Sequence, residues 1–247
     1  MNTILITGCS SGFGREIAIH FLEQGWNVVA TMRHPDASVL PQSSRLRVLE
    51  LDVTDSDSIH AAIKAAGPID ALVNNAGIGV LYPLEAIQIE TARAVFETNT
   101  LGTIAMTQAV LPAFRARASG VIVNITSSVT LAPLPLLSVY TASKAAVNAF
   151  TESLALELAP LNIRTCVVLP GRSPETRFGA TARNLMQDKP PAEYQPLLNA
   201  VFAGAGSAGP VTHASDVAHA VWQAVTDPAA PMRLPAGEDA QALAAPL

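Results

Sequence analysis

The sequence is poor in charge and in cysteine, and each scarcity excludes a class of protein. Charged residues make up 14% of the 247 residues and hydrophobic residues 49%, a balance typical of a buried sheet and unlike that of a disordered chain. The two cysteines, Cys9 and Cys166, are too few for a disulfide framework, and Cys166 lies in an apolar pattern typical of a small core residue. The net charge of −5 gives no reason to expect a nucleic acid or an anionic membrane as a partner.

Long apolar runs are also missing, because charged or polar residues interrupt every hydrophobic stretch before it reaches the length of a membrane span. We therefore expect no membrane partner. The first predicted strand begins at residue 3, which leaves no room for a signal peptide, so a cytoplasmic location is expected. The His, Cys and Asp residues do not show the spacing of a metal site, and His213 and His219 are expected to be surface or capping residues.

Segments with the hydrophobic period of strands alternate along the chain with segments that have the period of helices. Strands are predicted at residues 3–7, 27–31, 46–51, 71–73, 120–125 and 163–169. Helices are predicted at residues 16–23, 56–66, 91–117, 139–159 and 216–226. This alternation, without an internal repeat or linker, predicts an α/β fold: a Rossmann-type, doubly wound parallel sheet of about seven strands, as a single domain over residues 1–247.

The first strand runs into a glycine-rich turn, Thr-Gly-Cys-Ser-Ser-Gly-Phe-Gly at residues 7–14, and then into a helix. Glycines let the backbone approach a phosphate closely, and the helix N-terminus supplies free N–H groups and the positive end of its dipole. This strand–turn–helix unit predicts a dinucleotide phosphate site. Its predicted cofactor contacts are Gly8, Ser10, Ser11, Gly12, Phe13 and Gly14.

A second motif, Tyr140-Thr-Ala-Ser-Lys144, places a phenol and an ammonium four residues apart. On a helix both side chains point the same way, and the ammonium would lower the pKa of the phenol towards neutrality, which suits a general acid or base. Ser127, thirteen residues before Tyr140, would hydrogen-bond a substrate oxygen, and Ser128 is the alternative. A Tyr-x-x-x-Lys pair on its own is common on helix surfaces, so the glycine-rich turn carries much of this interpretation.

The two motifs, in this order and separation, resemble the short-chain dehydrogenase/reductase family over nearly the whole chain and most specifically over residues 3–171. The spacing Gly-x-x-x-Gly-x-Gly and the sequence Asn-Asn-Ala-Gly at residues 74–77 also resemble this family. The resemblance implies catalytic roles for Asn99, Ser127, Tyr140 and Lys144, with Asn99 holding a water that connects to the lysine. It also implies cofactor contacts by Asp52, Val53, Asn75, Ala76, Gly77, Tyr140, Lys144, Pro170 and Gly171.

The end of the second strand indicates which nicotinamide cofactor is bound. A carboxylate at this position would bind the ribose hydroxyls of NAD, but Met32 stands there and Arg33 follows. A guanidinium can pair with the 2′-phosphate of NADP, and Arg15 would add a second positive charge. We therefore predict NADP(H) as the cofactor, with Arg33 as one of its contacts. The alternative is that both arginines are simply solvated.

Similarity to the family weakens after residue 171. Family members have a threonine four residues after this glycine, whereas Glu175 stands there and Thr176 follows, so that either the loop is one residue longer or the contact differs. Residues 172–210 are rich in Pro, Gly and Ala, as is typical of a flap over a site. Residues 232–240 resemble a short last strand and turn of members that act on hydroxysteroids or retinoids.

The loop between Ser127 and Tyr140 contains no charged residue and predicts one apolar wall of the cleft. A second wall is predicted from the flap residues Phe178, Leu185, Met186, Tyr194, Leu197, Leu198 and Phe202. These walls favour a mainly apolar carbonyl or alcohol substrate, unless the flap residues only pack the flap onto the body. An inward-facing Arg172, Arg177 or Arg183 would instead bind a carboxylate.

These features predict an oxidoreductase that transfers a hydride between NADP(H) and a secondary alcohol or ketone. One alternative is a non-catalytic NADP(H) sensor, which has no need of the Ser–Tyr–Lys set. Another is an epimerase or dehydratase on the same scaffold, which would normally need a larger C-terminal substrate region. Apolar residues on more than one face of the helices at 91–117 and 139–159, including Leu154, Leu156 and Leu158, predict a homodimer or homotetramer.

Overall fold

The computed structural model describes residues 1–176, 190–205 and 209–245. Within these residues seven parallel strands form one sheet in the order β3-β2-β1-β4-β5-β6-β7. The strands are β1 (Thr3–Ile6), β2 (Asn27–Met32), β3 (Leu46–Glu50), β4 (Ala71–Asn74), β5 (Gly120–Ile125), β6 (Ile163–Pro170) and β7 (Arg233–Ala236). The chain steps outward from β1 on one side and from β4 on the other, so the predicted doubly wound parallel sheet is confirmed.

Helices alternate with the strands, most of them near their predicted bounds, whereas the helices at residues 195–205 and 238–244 were not predicted. They are α1 (Gly12–Glu23), α2 (Ser56–Ala66), α3 (Ile89–Phe96), α4 (Gly102–Arg117), α5 (Ser138–Leu158), α6 (Gln195–Ala205), α7 (Ala214–Thr226) and α8 (Glu238–Ala244). Short 3₁₀ turns lie at Ala37–Val39, Leu84–Ala86, Ser128–Thr130, Ala159–Leu161 and Ala192–Tyr194. Helix α2 begins at Ser56 because the Asp55 carboxylate accepts a hydrogen bond from the backbone N–H of Asp57 (2.8 Å).

Consecutive residues of β1 supply the cores on the two faces of the sheet. Ile4 and Ile6 pack in one layer with Phe21 of α1 and Val221 of α7. Leu5 packs in the other layer, against α2, α4 and α5. All three β1 side chains are fully buried. A parallel sheet buried on both faces needs strands that are apolar at every position, which is why these strands read as continuous hydrophobic runs.

The predicted helix over residues 91–117 is not continuous. The structure has α3, then a π-helical turn at Glu97–Leu101, then α4. Such a turn places one extra residue in the helical ladder and is often found at functional sites. Asn99 lies inside it.

The carboxyl edge of the sheet gathers the segments that the sequence predicts to be functional. The glycine-rich turn follows β1, residues 75–77 follow β4, Ser127 follows β5 and Gly171 follows β6. Parallel strands end at the same edge, and the order of these strands makes this edge the binding side of a doubly wound sheet.

Candidate active site

The glycine-rich turn is fastened to the end of β4. The Thr7 hydroxyl accepts hydrogen bonds from the backbone N–H of Asn75 (3.0 Å) and Ala76 (2.9 Å). The Asn75 amide donates to the Thr7 carbonyl (2.8 Å) and to the Gly8 carbonyl (3.1 Å). A Cβ at Gly14 would overlap both the Asn75 amide and the Gly8 carbonyl, so only glycine allows the helix to begin this close to the turn. The turn is therefore held rigidly before any ligand binds.

The N-terminus of α1 has the donor set that a phosphate needs. Ser11 is its N-cap and forms no side-chain capping bond, and no acidic residue stands in the first turn. The backbone N–H groups of this turn are therefore available to an anion, which the helix dipole also favours. Ser10 is exposed, Ser11 is half-buried, and Phe13 packs against the core beneath the turn. The residues present thus fit the diphosphate of a dinucleotide.

The predicted adenosine end lies at the carboxyl ends of β2 and β3. Asp52 accepts hydrogen bonds from the Thr54 backbone N–H (2.9 Å) and hydroxyl (2.7 Å), and these bonds, with a smaller contribution from the Arg33 charge, lower its pKa. Val53 is buried in the core beside α4. Asp52 is therefore a carboxylate at neutral pH, held at the predicted adenosine end, where it could accept a hydrogen bond from the amino group of the adenine.

The three residues at the end of β2 and the start of α1 differ in accessibility. Arg33 is exposed, whereas Met32 is buried and its Sδ accepts a hydrogen bond from the Asp36 backbone N–H (3.3 Å). The Arg15 guanidinium donates through Nε to the Val39 carbonyl (2.6 Å). Arg33 therefore presents an exposed positive charge beside Asp52, and Arg15 is tied to the connection between β2 and β3.

Ser127, Tyr140 and Lys144 come together at the carboxyl end of β5. All three are buried, with 8%, 8% and 5% of their surface exposed. The hydroxyl groups of Ser127 and Tyr140 are hydrogen-bonded to each other. Lys144 Nζ donates to the Ile125 carbonyl (2.9 Å) and lies 5.9 Å from the centroid of the Tyr140 ring. The predicted cluster therefore exists as a geometric unit, and Ser127 is the serine whose hydroxyl meets the phenol.

The pKa values in this cluster correct one prediction from the sequence. The pKa of Tyr140 was expected to fall under the influence of Lys144, but burial raises it above its ordinary value, and the hydrogen bond from Ser127 offsets only part of that rise. Burial also lowers the pKa of Lys144 to about 8. The prediction was wrong because it weighed the attraction between the two groups and omitted the removal of both from water. Near pH 7, Tyr140 is a neutral phenol and Lys144 is mostly an ammonium.

Asn99 holds the π-helical turn against the loop after β4. Its Oδ1 accepts a hydrogen bond from the Ile78 backbone N–H (2.8 Å), and its Nδ2 donates to the Ile78 carbonyl (2.9 Å). Nδ2 also donates to the Ser143 hydroxyl (3.0 Å), which in turn donates to the Tyr140 carbonyl (2.7 Å). These bonds explain why a polar side chain stands in the middle of a helix and why the helix is distorted there.

Ser143 is a residue of this site that the sequence analysis missed. It is fully buried and lies three residues after Tyr140, on the same face of α5. Its position next to Lys144 in the motif was the signal that could have identified it. It links the helix that carries the phenol to the turn that carries Asn99.

The start of the predicted flap lies against the glycine-rich turn. Thr176 Cγ2 is 3.4 Å from the point where a Cβ of Gly12 would stand. The Glu175 carboxylate instead pairs with His213 Nδ1 (2.8 Å) on the exposed surface. His213 is the N-cap of α7, where its backbone N–H donates to the Asp216 carboxylate (2.8 Å), so its expected place at the surface is confirmed. Of the two candidate residues, Thr176 is the one beside the phosphate turn.

The predicted apolar walls are described only in part. Among the loop residues before Tyr140, Val129 and Leu137 pack with the tyrosine in one small cluster, and Leu134 is exposed. In the flap, Leu198 is buried, while Leu197 and Phe202 are exposed to 38% and 41%. The Tyr194 hydroxyl donates to the Glu85 carboxylate (3.1 Å), and the Arg172 guanidinium donates through Nη2 to the Gly209 carbonyl (3.5 Å). Phe178, Leu185, Met186, Arg177 and Arg183 lie outside the described residues.

Two further expectations concern absences. No group of three or more His, Cys, Asp or Glu side chains with metal-binding geometry occurs in the part of the chain that the structure describes. Over residues 1–176, 190–205 and 209–245, none of the helices combines the length and hydrophobicity that crossing a membrane requires.

Comparison with known proteins shows which family has this sequence pattern. Residues 2–184 match the family model described as short chain dehydrogenase. The chain belongs to this family. The family resemblance predicted from the glycine-rich turn and the Tyr-x-x-x-Lys motif is therefore confirmed.

The curated relatives align with about two thirds of this chain. A 3-ketodihydrosphingosine reductase of Bacteroides thetaiotaomicron is 40% identical over 172 residues, which cover 68% of this chain and 62% of the relative. Retinol dehydrogenase 8 of Bos taurus is 39% identical over 181 residues, which cover 68% of this chain and 58% of the relative. The matched region thus spans less than two thirds of either relative.

Solved structures of short-chain dehydrogenases match nearly the whole chain. One from Streptomyces avermitilis has a TM-score of 0.82 at 30% identity and covers 98% of this chain and 91% of its own. One from Burkholderia cenocepacia J2315 in complex with NADP has a TM-score of 0.77 at 28% identity, with 98% and 91% covered. A 3-ketoacyl-(acyl-carrier-protein) reductase from Brucella melitensis complexed with NADH has a TM-score of 0.79 at 27% identity, with 95% and 96% covered.

Proposed function

We propose that this short-chain dehydrogenase transfers a hydride between NADP(H) and a secondary alcohol or ketone. The observation that carries the proposal is the buried Ser127–Tyr140 hydroxyl pair with Lys144 beside it, at the same sheet edge as the phosphate-binding turn. A reaction that moves a hydride and a proton to one carbonyl group needs a proton donor and a dinucleotide site close together, and both lie at this edge.

The nicotinamide supplies or receives the hydride, and the residues of this chain handle the oxygen of the substrate. In the direction of reduction, the Ser127 and Tyr140 hydroxyls donate hydrogen bonds to the carbonyl oxygen. As charge develops on that oxygen, Tyr140 gives it the phenolic proton, and the Lys144 ammonium stabilises the phenolate that remains. Burial raises the pKa of Tyr140, so the phenol carries the proton to be given at neutral pH, and stabilisation of the phenolate by the Lys144 ammonium offsets the weaker acidity that burial causes.

The remaining predicted residues bind the cofactor or hold other parts of the site in position. Gly8, Gly12, Gly14, Asn75, Ala76 and Gly77 shape the surface for the diphosphate and nicotinamide, and Lys144 binds the nicotinamide ribose. Thr176 lies close enough to Gly12 to contact the same cofactor, which favours a loop one residue longer than usual over a lost contact. Asn99 keeps the π-helical turn beside the active site and supports a water next to Lys144.

The choice of NADP(H) rests on the exposed Arg33 and on the absence of a carboxylate at the end of β2. Solved relatives bind either NADP or NADH, so the family alone does not decide the choice. The substrate we propose is mainly apolar. Uncharged loop residues pack around Tyr140, and relatives are named for a ketodihydrosphingosine and for retinol.

A substrate panel tests this proposal. The purified protein is mixed with NADPH or NADH and with matched apolar and carboxylate-bearing ketones, and loss of the reduced nicotinamide is followed by absorbance. We expect turnover of apolar ketones with a higher kcat/KM for NADPH than for NADH. Tight NADPH binding without turnover of any substrate would instead favour the sensor, and a preference for the carboxylate series would overturn the apolar assignment.

A further inference from the structure

The segment that follows β6, residues 171–176, lies between the sheet and the phosphate-binding turn. Its first residue continues β6 at the carboxyl edge, and its last, Thr176, lies beside Gly12, with Cγ2 3.4 Å from the point that a Cβ of this glycine would occupy. A dinucleotide extended along this edge would pass beneath the segment. The distance between this segment and the sheet edge therefore affects how tightly the cofactor binds.

Two residues distant in sequence fix the backbone at the start of this segment. The Gly171 N–H donates to the Thr212 hydroxyl (2.8 Å), and the Arg172 N–H donates to the Asp239 carboxylate (2.6 Å). The Thr212 N–H donates to the Arg172 carbonyl (2.8 Å). Both backbone N–H groups and one carbonyl of this two-residue stretch are thus paired with Thr212 or Asp239. Such a set of bonds leaves the stretch little freedom to shift.

The two anchors are also joined to each other. Thr212 Oγ1 lies 2.7 Å from Asp239 Oδ1 and 2.8 Å from the Ala236 carbonyl, and its single proton serves one of these acceptors while the oxygen accepts from Gly171. Thr212 is fully buried. A Cβ at Gly171 would overlap the Asp239 carboxylate, so a glycine at this position is what allows the carboxylate to reach the backbone.

We propose that Asp239 and Thr212 are positioning residues for the cofactor. They act through residues 171–176, which they hold at a fixed height over the phosphate-binding turn, and they touch neither the reacting atoms nor the catalytic cluster. The hydrogen bond between the carboxylate and the Arg172 N–H is charge-assisted, which makes it stronger than a neutral one. This inference rests on the proposed binding of NADP(H).

The test compares two ligands in two variants. Asp239→Ala removes the acceptor of the Arg172 N–H, and Thr212→Val removes that of Gly171 while keeping the shape of the side chain. Fluorescence titration measures the Kd of NADPH and of adenosine 2′-monophosphate, which carries the 2′-phosphate but neither the diphosphate nor the nicotinamide, the parts of NADPH next to residues 171–176. We expect each variant to weaken NADPH binding roughly tenfold, the loss of about one good hydrogen bond, with adenosine 2′-monophosphate binding unchanged. The KM for NADPH should rise more than kcat falls.

Conservative and neighbouring variants serve as controls. Thr212→Ser and Asp239→Asn keep groups that can accept the backbone bonds and should bind NADPH nearly as well as the unmutated protein. Glu238→Ala removes an exposed carboxylate next to Asp239 and should change neither ligand. Equal weakening of both ligands, unchanged NADPH binding, or loss of folded protein in both Asp239→Ala and Thr212→Val would overturn the inference. Failure of the unmutated protein to bind either nicotinamide cofactor would instead contradict the proposed function.

Discussion

The hydroxyls of Tyr140 and Ser127 share a hydrogen bond at a place where both side chains are more than nine-tenths buried. Removing the phenolic oxygen removes the proposed proton donor but almost none of the packing around the ring. We therefore expect Tyr140→Phe to abolish turnover, by a factor of about a hundred or more, and to leave NADPH binding nearly intact. Steady-state kinetics and a fluorescence titration measure the two effects. Near-normal rates in this variant would rule out the mechanism.

The neighbouring serines allow a matched comparison. Ser127 meets the phenol, whereas Ser128 begins the 3₁₀ turn that follows β5. Ser127→Ala should lose most activity because a carbonyl oxygen loses one of its two donors. Ser128→Ala should lose little. The reverse ranking of kcat/KM would show that the substrate oxygen is held by the other serine.

Lys144 makes the stability of the protein depend on pH in a defined direction. Its pKa is about 8 when folded, against an ordinary value of 10.5. Below pH 8 both the folded and the unfolded chain carry the charge, so the cost of burying it is fully present. Between about pH 8 and pH 10 the folded chain has lost the proton that the unfolded chain retains, so stability rises by at most about 1.4 kcal/mol per pH unit.

The measurement is the unfolding free energy of the unmutated protein minus that of Lys144→Met, determined with urea from pH 7 to pH 10. Taking the difference removes contributions common to both proteins, such as that of Cys9, whose pKa burial raises to about 12. We expect this difference in unfolding free energy to increase as the pH rises. A difference that stays constant over this range would show that the ammonium is not desolvated in the folded chain.

At the scale of elements, the π-helical turn depends on one side chain. Asn99→Ala would leave the N–H and the carbonyl of Ile78 without their partner and would free Ser143 from the turn. Because unpaired backbone groups in a partly buried site are costly, we expect a loss of about 2 kcal/mol in unfolding free energy. We also expect at least a tenfold fall in kcat/KM, since Ser143 supports the backbone of Tyr140.

Urea unfolding and steady-state kinetics together test this role. The control is Asn199→Ala, which removes an exposed amide on α6 that pairs with Gln195 of the same helix. It should change neither quantity by a measurable amount. Full activity and stability in Asn99→Ala would mean that the turn is held by the surrounding packing and not by the amide.

The helices and strands also show which parts of the structure can be predicted from local sequence signals. The bounds of α2 and β5 were predicted as observed, because Asp55 caps the helix and an unbroken apolar run forms the strand. The family resemblance identified Asn99, but the π-helical turn around it was not predicted, since that turn depends on contacts with Ile78 and Ser143, which are distant in sequence. Thr212 and Asp239 were missed for the same reason: their partners lie 41 and 67 residues away.

The same limit explains the error at Tyr140. The sequence placed a phenol, a lysine and a serine together through spacing alone, and the structure brings them together. Spacing carries no information on how deeply the cluster is buried, however, and burial decides the direction of both pKa shifts. Contacts made through regular helices and strands were therefore predictable, and the electrostatic environment that the whole fold creates was not.

At the scale of the whole molecule, the outer side of α5 carries a row of small and apolar residues. Leu154 and Leu158 pack into the core, as the inner face requires, while Leu156 is 80% exposed. Apart from Ser138 and Glu157, the exposed residues of this helix recur at helical spacing and form what we call the α5 stripe: Ala142, Ala145, Ala149, Ser153 and Leu156. Small side chains let two helices approach closely, so this surface suits contact with a second copy of the chain.

We therefore expect a homodimer or homotetramer in sedimentation at micromolar concentration. Ala149→Glu places a charge in the middle of the α5 stripe, where burying it against a partner helix would cost more than the contact yields, so the variant should sediment as a smaller species than the unmutated protein, a monomer in place of a dimer or a dimer in place of a tetramer. Ala61→Glu is the matched control, because Ala61 is also an exposed alanine, on α2, and lies outside the stripe. It should keep the assembly of the unmutated protein. A monomeric unmutated protein would contradict the expectation, and an Ala149→Glu variant with the same assembly as the unmutated protein would place the interface on another surface.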